Sequence, residues 1–153
     1  MREAVVPEMR QRRSGCVINV ASISGRLAGT PMGPYAASKF ALEALSECLA
    51  QEVMPFNVRV AVVEPGIIDT QMATRVSALM HPTPPTVVAD KVLEIAAGES
   101  WQFRHLVGPD AAPFIAWRQA MSDEEWVAWG ALDDDAWYAR VKADFGIDAR
   151  PVA

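Results

Sequence analysis

The chain reads as an α/β protein built on a parallel sheet and ending in a helical tail. Three observations carry that reading. Cys16–Ala21 and Asn57–Val63 are short runs rich in β-branched residues, closed by Ser22-Ile23-Ser24-Gly25 and by Glu64-Pro65-Gly66. Near-continuous apolar runs of this length belong to strands covered on both faces, as in parallel sheets. Between them, Tyr35 to about Met54 is rich in Ala, Leu and Glu, with no breaker between Pro34 and Pro55. That is a long helix, so the three segments form a strand–helix–strand unit with a right-handed crossover.

Residues 1–13 read as the end of a helix, with Val5, Val6 and Met9 on one side and Arg10, Arg12 and Arg13 at the C-terminal end, where cations suit the dipole. A helix with no strand before it leads us to expect that a segment precedes it. Ser14-Gly15 breaks the pattern before the first strand, and Gly29, Pro31, Gly33 and Pro34 make a loop before the long helix. Residues 69–85 are irregular, rich in Met, Ala and Pro, and suit a flap over a site. Thr86–Ala97 is a helix with Val88, Val92 and Ile95 apolar, stopped by Gly98; Trp101–Val107 is a third strand, ended by Gly108-Pro109. All five Trp residues follow position 100, and they read as core or interface. Ser122-Asp123-Glu124-Glu125 is a capping box that starts a short helix, and Asp133-Asp134-Asp135 opens the last one, which Gly146 ends.

The 153 residues suffice for a single domain, residues 1–153, with a real core. Apolar residues make up 51% and charged ones 22%, a globular balance. A net charge of −5, without any long basic run, argues against a nucleic-acid partner. Cys16 and Cys48 are too few for a disulfide framework and read as small core residues. No apolar run approaches the ~20 residues of a membrane span, and Met1–Pro7 holds no signal-peptide core. A cytoplasmic protein is expected.

Chemistry concentrates where the elements converge. Tyr35 and Lys39 are four apart and share one helix face. An ammonium beside a phenol favours the phenolate, which suits a general acid/base near neutral pH. The spacing alone is an ordinary helix-face pair, and Tyr138 and Lys142 repeat it near the C-terminus. The surroundings separate the two. Ser22, Ser24, Pro65, Gly66 and Thr70 all fall at the carboxyl ends of strands, where open α/β sheets bind ligands, and the Tyr35 helix starts on the same side. His81 and His105 have no Cys or Asp cluster at ligand spacing, so no metal is expected.

Asn19-Val20-Ala21-Ser22, Tyr35-Ala36-Ala37-Ser38-Lys39 and Pro65-Gly66-Ile67-Ile68-Asp69-Thr70, in that order and context, make the chain resemble the short-chain dehydrogenase/reductase family over roughly residues 1–72. The resemblance implies a partial Rossmann-like, doubly wound parallel sheet, the C-terminal half of an NAD(P)-binding domain. It implies an NAD(P)-dependent oxidoreductase that interconverts an alcohol and a carbonyl on a small or hydrophobic substrate. Ser22, thirteen residues before Tyr35, takes the place of the serine that holds the substrate oxygen, while Ser24 is expected to cap the loop. Tyr35 matches the proton donor or acceptor. Lys39 matches the lysine that favours the ionised tyrosine and binds the nicotinamide ribose. Pro65, Gly66 and Ile68 match the loop whose backbone contacts the carboxamide, and Thr70 matches a hydroxyl near the cofactor's amide or phosphate. Val63-Glu64-Pro65-Gly66, with Ala61 in place of a frequent Asn, points to hydrophobic alcohols such as steroids and retinoids. The Tyr35 helix and the N-terminal helix match the family's dimer surface, so a homo-oligomer is expected.

The departure from the family pattern is large. The Gly-rich turn that binds the pyrophosphate at a helix N-terminus is absent from the sequence. So are the residue that selects NAD or NADP and the Asn-Asn-Ala-Gly stretch with the family's catalytic Asn, whose place neither Asn19 nor Asn57 matches. Each strand–helix–strand unit is ~30 residues. The expectation is that residues 1–153 alone bind no dinucleotide. The competing reading is a truncated, non-enzymatic fragment or paralogue that serves as a dimerisation module.

Overall fold

The computed structural model describes residues 2–70 and 82–146. Helix α1 (Arg2–Arg12) leads into β1 (Gly15–Val20), and a 3-10 turn (Ile23–Gly25) and a loop lead to α2 (Gly33–Val53). Strand β2 (Val58–Pro65), α3 (Pro85–Ala97) and β3 (Arg104–Val107) follow. The described residues end in α4 (Ala111–Gln119), α5 (Asp123–Gly130) and α6 (Asp134–Phe145). The three strands form one parallel sheet in the order β1-β2-β3. Gly15 lies opposite Val58 and Val20 opposite Val63, while Val62 lies opposite Arg104 and Pro65 opposite Val107.

Side chains alternate across a strand, and the two faces of β2 fill different cores. Val58 and Val60 pack under Leu49 and Val53 of α2, joined by Val6 and Met9 of α1. Ala61 and Val63 pack under Ile95 of α3 with Val107. Coverage on both faces is why β2 reads as an unbroken apolar run. The same alternation carries Glu64 to the α2 side, where it is fully buried. Strand β1 pairs only with β2 among the described residues, and Val20 at its end is 43% exposed.

The tail packs by aromatic contact. Trp117 of α4 lies edge-on to Trp126 and Trp129 of α5 and to Phe145 of α6, with centroids 4.8–5.3 Å apart. Ile115 and Ala111 of α4 bury against Ile23, with Leu27 and Phe114 beside them. Trp126 Nε1 donates to the Ala28 carbonyl at 2.7 Å, which fastens the tail to the loop before α2. Trp117, Trp126, Trp129 and Trp137 are half-buried in this aromatic cluster, in line with a core or interface role, while Trp101 is 48% exposed.

Three expectations change. Helix α4 was not foreseen: it follows the Gly108-Pro109 break and carries Pro113 near its start, where proline is tolerated in a first helical turn. Strand β3 starts at Arg104 rather than Trp101. Ser100 Oγ accepts from the Gln102 amide, and the Gln102 side chain donates to the Arg104 carbonyl. Local bonds of this kind compete with a sheet ladder. Cys48 is exposed rather than core, on the outer side of α2, while Cys16 is half-buried and burial pushes its thiol up. Of the expected flap, residues 71–81 lie outside the described residues, and Thr83 is held by backbone pairing to Ile67 and Asp69.

Candidate active site

Ser22 leaves β1 at its carboxyl end and is 7% exposed. Its Oγ accepts from the Ser24 amide at 3.1 Å and thereby caps the 3-10 turn. The capping role expected of Ser24 belongs to Ser22. The Ser22 hydroxyl donates to the Pro65 carbonyl at 3.4 Å, a long bond that a better acceptor displaces at little cost.

The turn lies directly on α2. A Cβ at Gly25 would stand 2.8 Å from Glu43 Cγ and 3.1 Å from the Lys39 carbonyl, so only glycine admits this approach. The contact brings the Ser22 segment onto the helix at Lys39 to Glu43. Tyr35 and Lys39 occupy the first turns of that helix, both partly exposed. The Lys39 ammonium sits 5.7 Å from the Tyr35 ring centroid and donates to the Val20 carbonyl at 3.1 Å. Val20 O is the end of β1, so Lys39 bridges the serine strand and the tyrosine helix. The ring of Tyr138 packs on Trp137.

The Pro65-Gly66 loop is held from the other side. The Gly66 amide donates to the Val107 carbonyl at 2.8 Å, and the Ile67 amide donates to Asp110 Oδ2 at 2.7 Å. Thr83 pairs with Ile68 in a single parallel bridge: the Asp69 amide donates to Thr83 O, and the Thr83 amide donates to Ile67 O, both at 2.9 Å. In such a bridge the flanking residues bond the partner. The amide and carbonyl of Ile68 itself therefore face away from Thr83, leaving a donor and an acceptor side by side, the pattern that matches a primary carboxamide. Thr70 is exposed at the end of this described stretch.

Ser22, Lys39, Pro65 and Gly66 thus converge at the carboxyl ends of β1 and β2, with Tyr35 beside Lys39 and Ile68 on the adjoining loop. Sequence reasoning missed Asp110 and Thr83, which are distant in the chain. It also missed a buried group of charges behind the site, signalled only by Glu64 ending an otherwise apolar strand. No group of three or more His, Cys, Asp or Glu among the described residues is arranged to hold a metal. His105 is buried, with Nε2 3.0 Å from the Gln102 carbonyl, and His81 lies outside the described residues. No described helix is long and apolar enough to cross a membrane.

Known proteins resemble the chain in sequence and in fold. The chain is 31% identical over 150 residues to Oxidoreductase BOA17 of Botryotinia fuckeliana, covering 81% of this chain and 55% of that protein. It is 34% identical over 110 residues to cyclopentanol dehydrogenase of Comamonas testosteroni, covering 63% of this chain and 44% of that one. The chain thus spans about half the length of these relatives. A short-chain dehydrogenase from Burkholderia cenocepacia, solved in complex with NADP, superposes with a TM-score of 0.71 at 30% identity, over 87% of this chain and 54% of that one. A second, from Streptomyces avermitilis, gives 0.69 at 31% identity, over 84% and 55%. The family model for short chain dehydrogenase matches residues 1–80, a span that takes in the serine strand, the tyrosine helix and the Pro-Gly loop. With sequence, fold and motif order in agreement, the chain belongs to the short chain dehydrogenase family.

Proposed function

We propose that this chain carries the reaction end of an NAD(P)-dependent oxidoreductase that interconverts an alcohol and a carbonyl on a small or hydrophobic substrate. The observation that carries the proposal is the bridge Lys39 makes between the end of β1, two residues from Ser22, and the Tyr35 ring. When bound, the nicotinamide supplies hydride transfer to or from the carbonyl carbon. Ser22 turns its hydroxyl from Pro65 O to the substrate oxygen. Tyr35 gives that oxygen its proton, or takes it in the reverse direction. Lys39 holds the ribose hydroxyls and supplies positive charge beside the phenol. Ile68 presents its peptide group to the carboxamide, and Gly66 lets the loop approach closely. Thr70 contributes its hydroxyl near the amide or phosphate. We place residues 1–153 in one domain, the C-terminal part of a Rossmann-type domain. The residues present fit the nicotinamide end, and the sequence offers no Gly-rich turn for the pyrophosphate. The test is oxidation of NADH or NADPH by a panel of cyclic and long-chain ketones, using a form of the protein fitted with a family dinucleotide-binding segment. Turnover supports the reading, and cofactor binding without turnover on any ketone counts against it.

The outer side of α2 carries exposed Phe40, Leu45 and Cys48, with Ala37, Ala41 and Ala44 between. Small and apolar residues at helical spacing suit close packing against a second copy of this helix. We assign α2 to a homodimer contact. Leu45 is 55% exposed, and Leu45→Glu is expected to give a monomer by analytical ultracentrifugation while the far-ultraviolet circular dichroism stays unchanged. A wild-type monomer would remove the assignment. This face also favours the second reading, a dimerisation module without enzymatic activity, which predicts dimers and no turnover in the ketone assay.

A further inference from the structure

Behind the candidate site lies a closed group of charges drawn from every motif-bearing segment. Glu64, the residue before Pro65-Gly66, has 0% exposure, and Glu43, one helical turn past Lys39, has 5%. Arg26, at the end of the Ser22 turn, donates to Glu64 Oε1 at 3.3 Å. Arg104 of β3 reaches Glu43 Oε2 at 3.3 Å, Glu64 Oε1 at 3.5 Å and the half-exposed Glu47 at 3.0 Å. Among the described residues, the ionisable side chains paired with this group are Arg26, Arg104 and, on the outer side, Glu47.

The arrangement leaves a defect in its hydrogen bonds. Glu43 Oε1 and Glu64 Oε2 are both buried with no donor, while Glu43 Oε2 and Glu64 Oε1 lie against the same Arg104 Nε, at 3.3 and 3.5 Å, which brings the two carboxyls together. Two bare carboxylates in contact, each with an unserved buried oxygen, are costly twice over, once as like charges and once as unmet acceptors. A single proton between them removes both costs.

We propose that Glu43 is a neutral acid that donates its proton to the Glu64 carboxylate, and that this acid–carboxylate pair, flanked by Arg26 and Arg104, is the positioning element that locks the Ser22 turn, the Tyr35 helix and the Pro65-Gly66 strand together. Glu64 keeps the charge because both arginines reach it, whereas Glu43 has Arg104 alone. Burial pushes the Glu43 carboxyl above the ordinary glutamate value of 4.5, the facing Glu64 charge adds to the rise, and Arg104 opposes it. The sign follows. Native Glu43 holds its proton where an unfolded glutamate has lost it, so its contribution is complete below 4.5 and is lost as pH rises through the raised native value. The inference goes beyond the proposed reaction and does not depend on it, since its readouts involve no turnover.

The pair makes unequal demands on its two members. Glu43→Gln keeps shape, neutrality and a donor. Glu64→Gln strips both arginines of their shared counter-charge. The test follows the glutamate side-chain carboxyls of the 153-residue chain, carbon-13 labelled, by NMR across pH, together with backbone amide signals of Gly25, Lys39 and Gly66. One carboxyl is expected to titrate above all the others, to vanish in Glu43→Gln, and to share its midpoint with shifts of those three amides. Glu43→Gln is expected to keep the thermal midpoint within a few degrees, and Glu64→Gln to lower it by ~10 °C. Ordinary titration of every glutamate in the unmutated chain, survival of the shifted signal in Glu43→Gln, or equal losses in the two variants would each overturn the proposal.

Discussion

Tyr35→Phe is expected to lower turnover by at least ~10²-fold in a cofactor-binding form of the protein, the scale of a lost general acid–base group. The substitution removes one oxygen and one transferable proton. It keeps the ring, so the Lys39 ammonium 5.7 Å from its centroid retains its neighbour, and the Lys39 bond to Val20 O is untouched. Cofactor affinity should therefore change little while kcat falls. Tyr138→Phe is the matched control. It sits on a helix with the same four-residue spacing to a lysine, but packs against Trp137 and has neither a serine strand nor a Pro-Gly loop beside it. It is expected to be near neutral. Steady-state kinetics of the two variants would decide the matter, and equal losses would remove Tyr35 from the proton-transfer role.

Gly66→Ala is expected to be the most damaging single-methyl change in the site. Its Cβ would stand 2.3 Å from both oxygens of Asp110, the side chain that accepts the Ile67 amide. The carboxylate must leave or the loop must move. Overpacking of this kind costs about 1–3 kcal/mol, and a half-buried amide stripped of a charged acceptor adds about 1 kcal/mol. The displaced loop also carries the Ile68 peptide group, so cofactor affinity should fall together with stability. Gly33→Ala gives the comparison, because a Cβ there meets nothing within 4 Å. Urea midpoints should separate the two clearly. Similar midpoints would show that Asp110 does not fix this loop.

How far these features were legible in the sequence depends on the range of the interactions that make them. The strands β1 and β2 and the helix α2 declare themselves locally, through β-branched runs and an unbroken Ala-rich stretch. The capping box of α5 does the same: Ser122 Oγ accepts the Glu125 amide, and the Glu125 carboxylate accepts the Ser122 amide. Ser22, Tyr35 and Lys39 stand out in the sequence because motif and strand end coincide. Asp110 was not, because its partner Ile67 lies 43 residues away and nothing near Asp110 marks it. The Glu43–Glu64 pair was hidden for a similar reason. Glu43 looks like any helix glutamate until the sheet alternation puts Glu64 beneath it. Cys48 was misjudged because a helix rich in Ala on every side does not announce which face is covered.

The proposed function gives this chain the nicotinamide end of a dinucleotide site, while its sequence offers no Gly-rich turn for the pyrophosphate. Titration of the purified 153-residue chain with NADH and NADPH, followed by its tryptophan fluorescence, tests that claim most directly. The predicted result is no saturable change with either dinucleotide. Saturable binding of either one by the chain alone would contradict it.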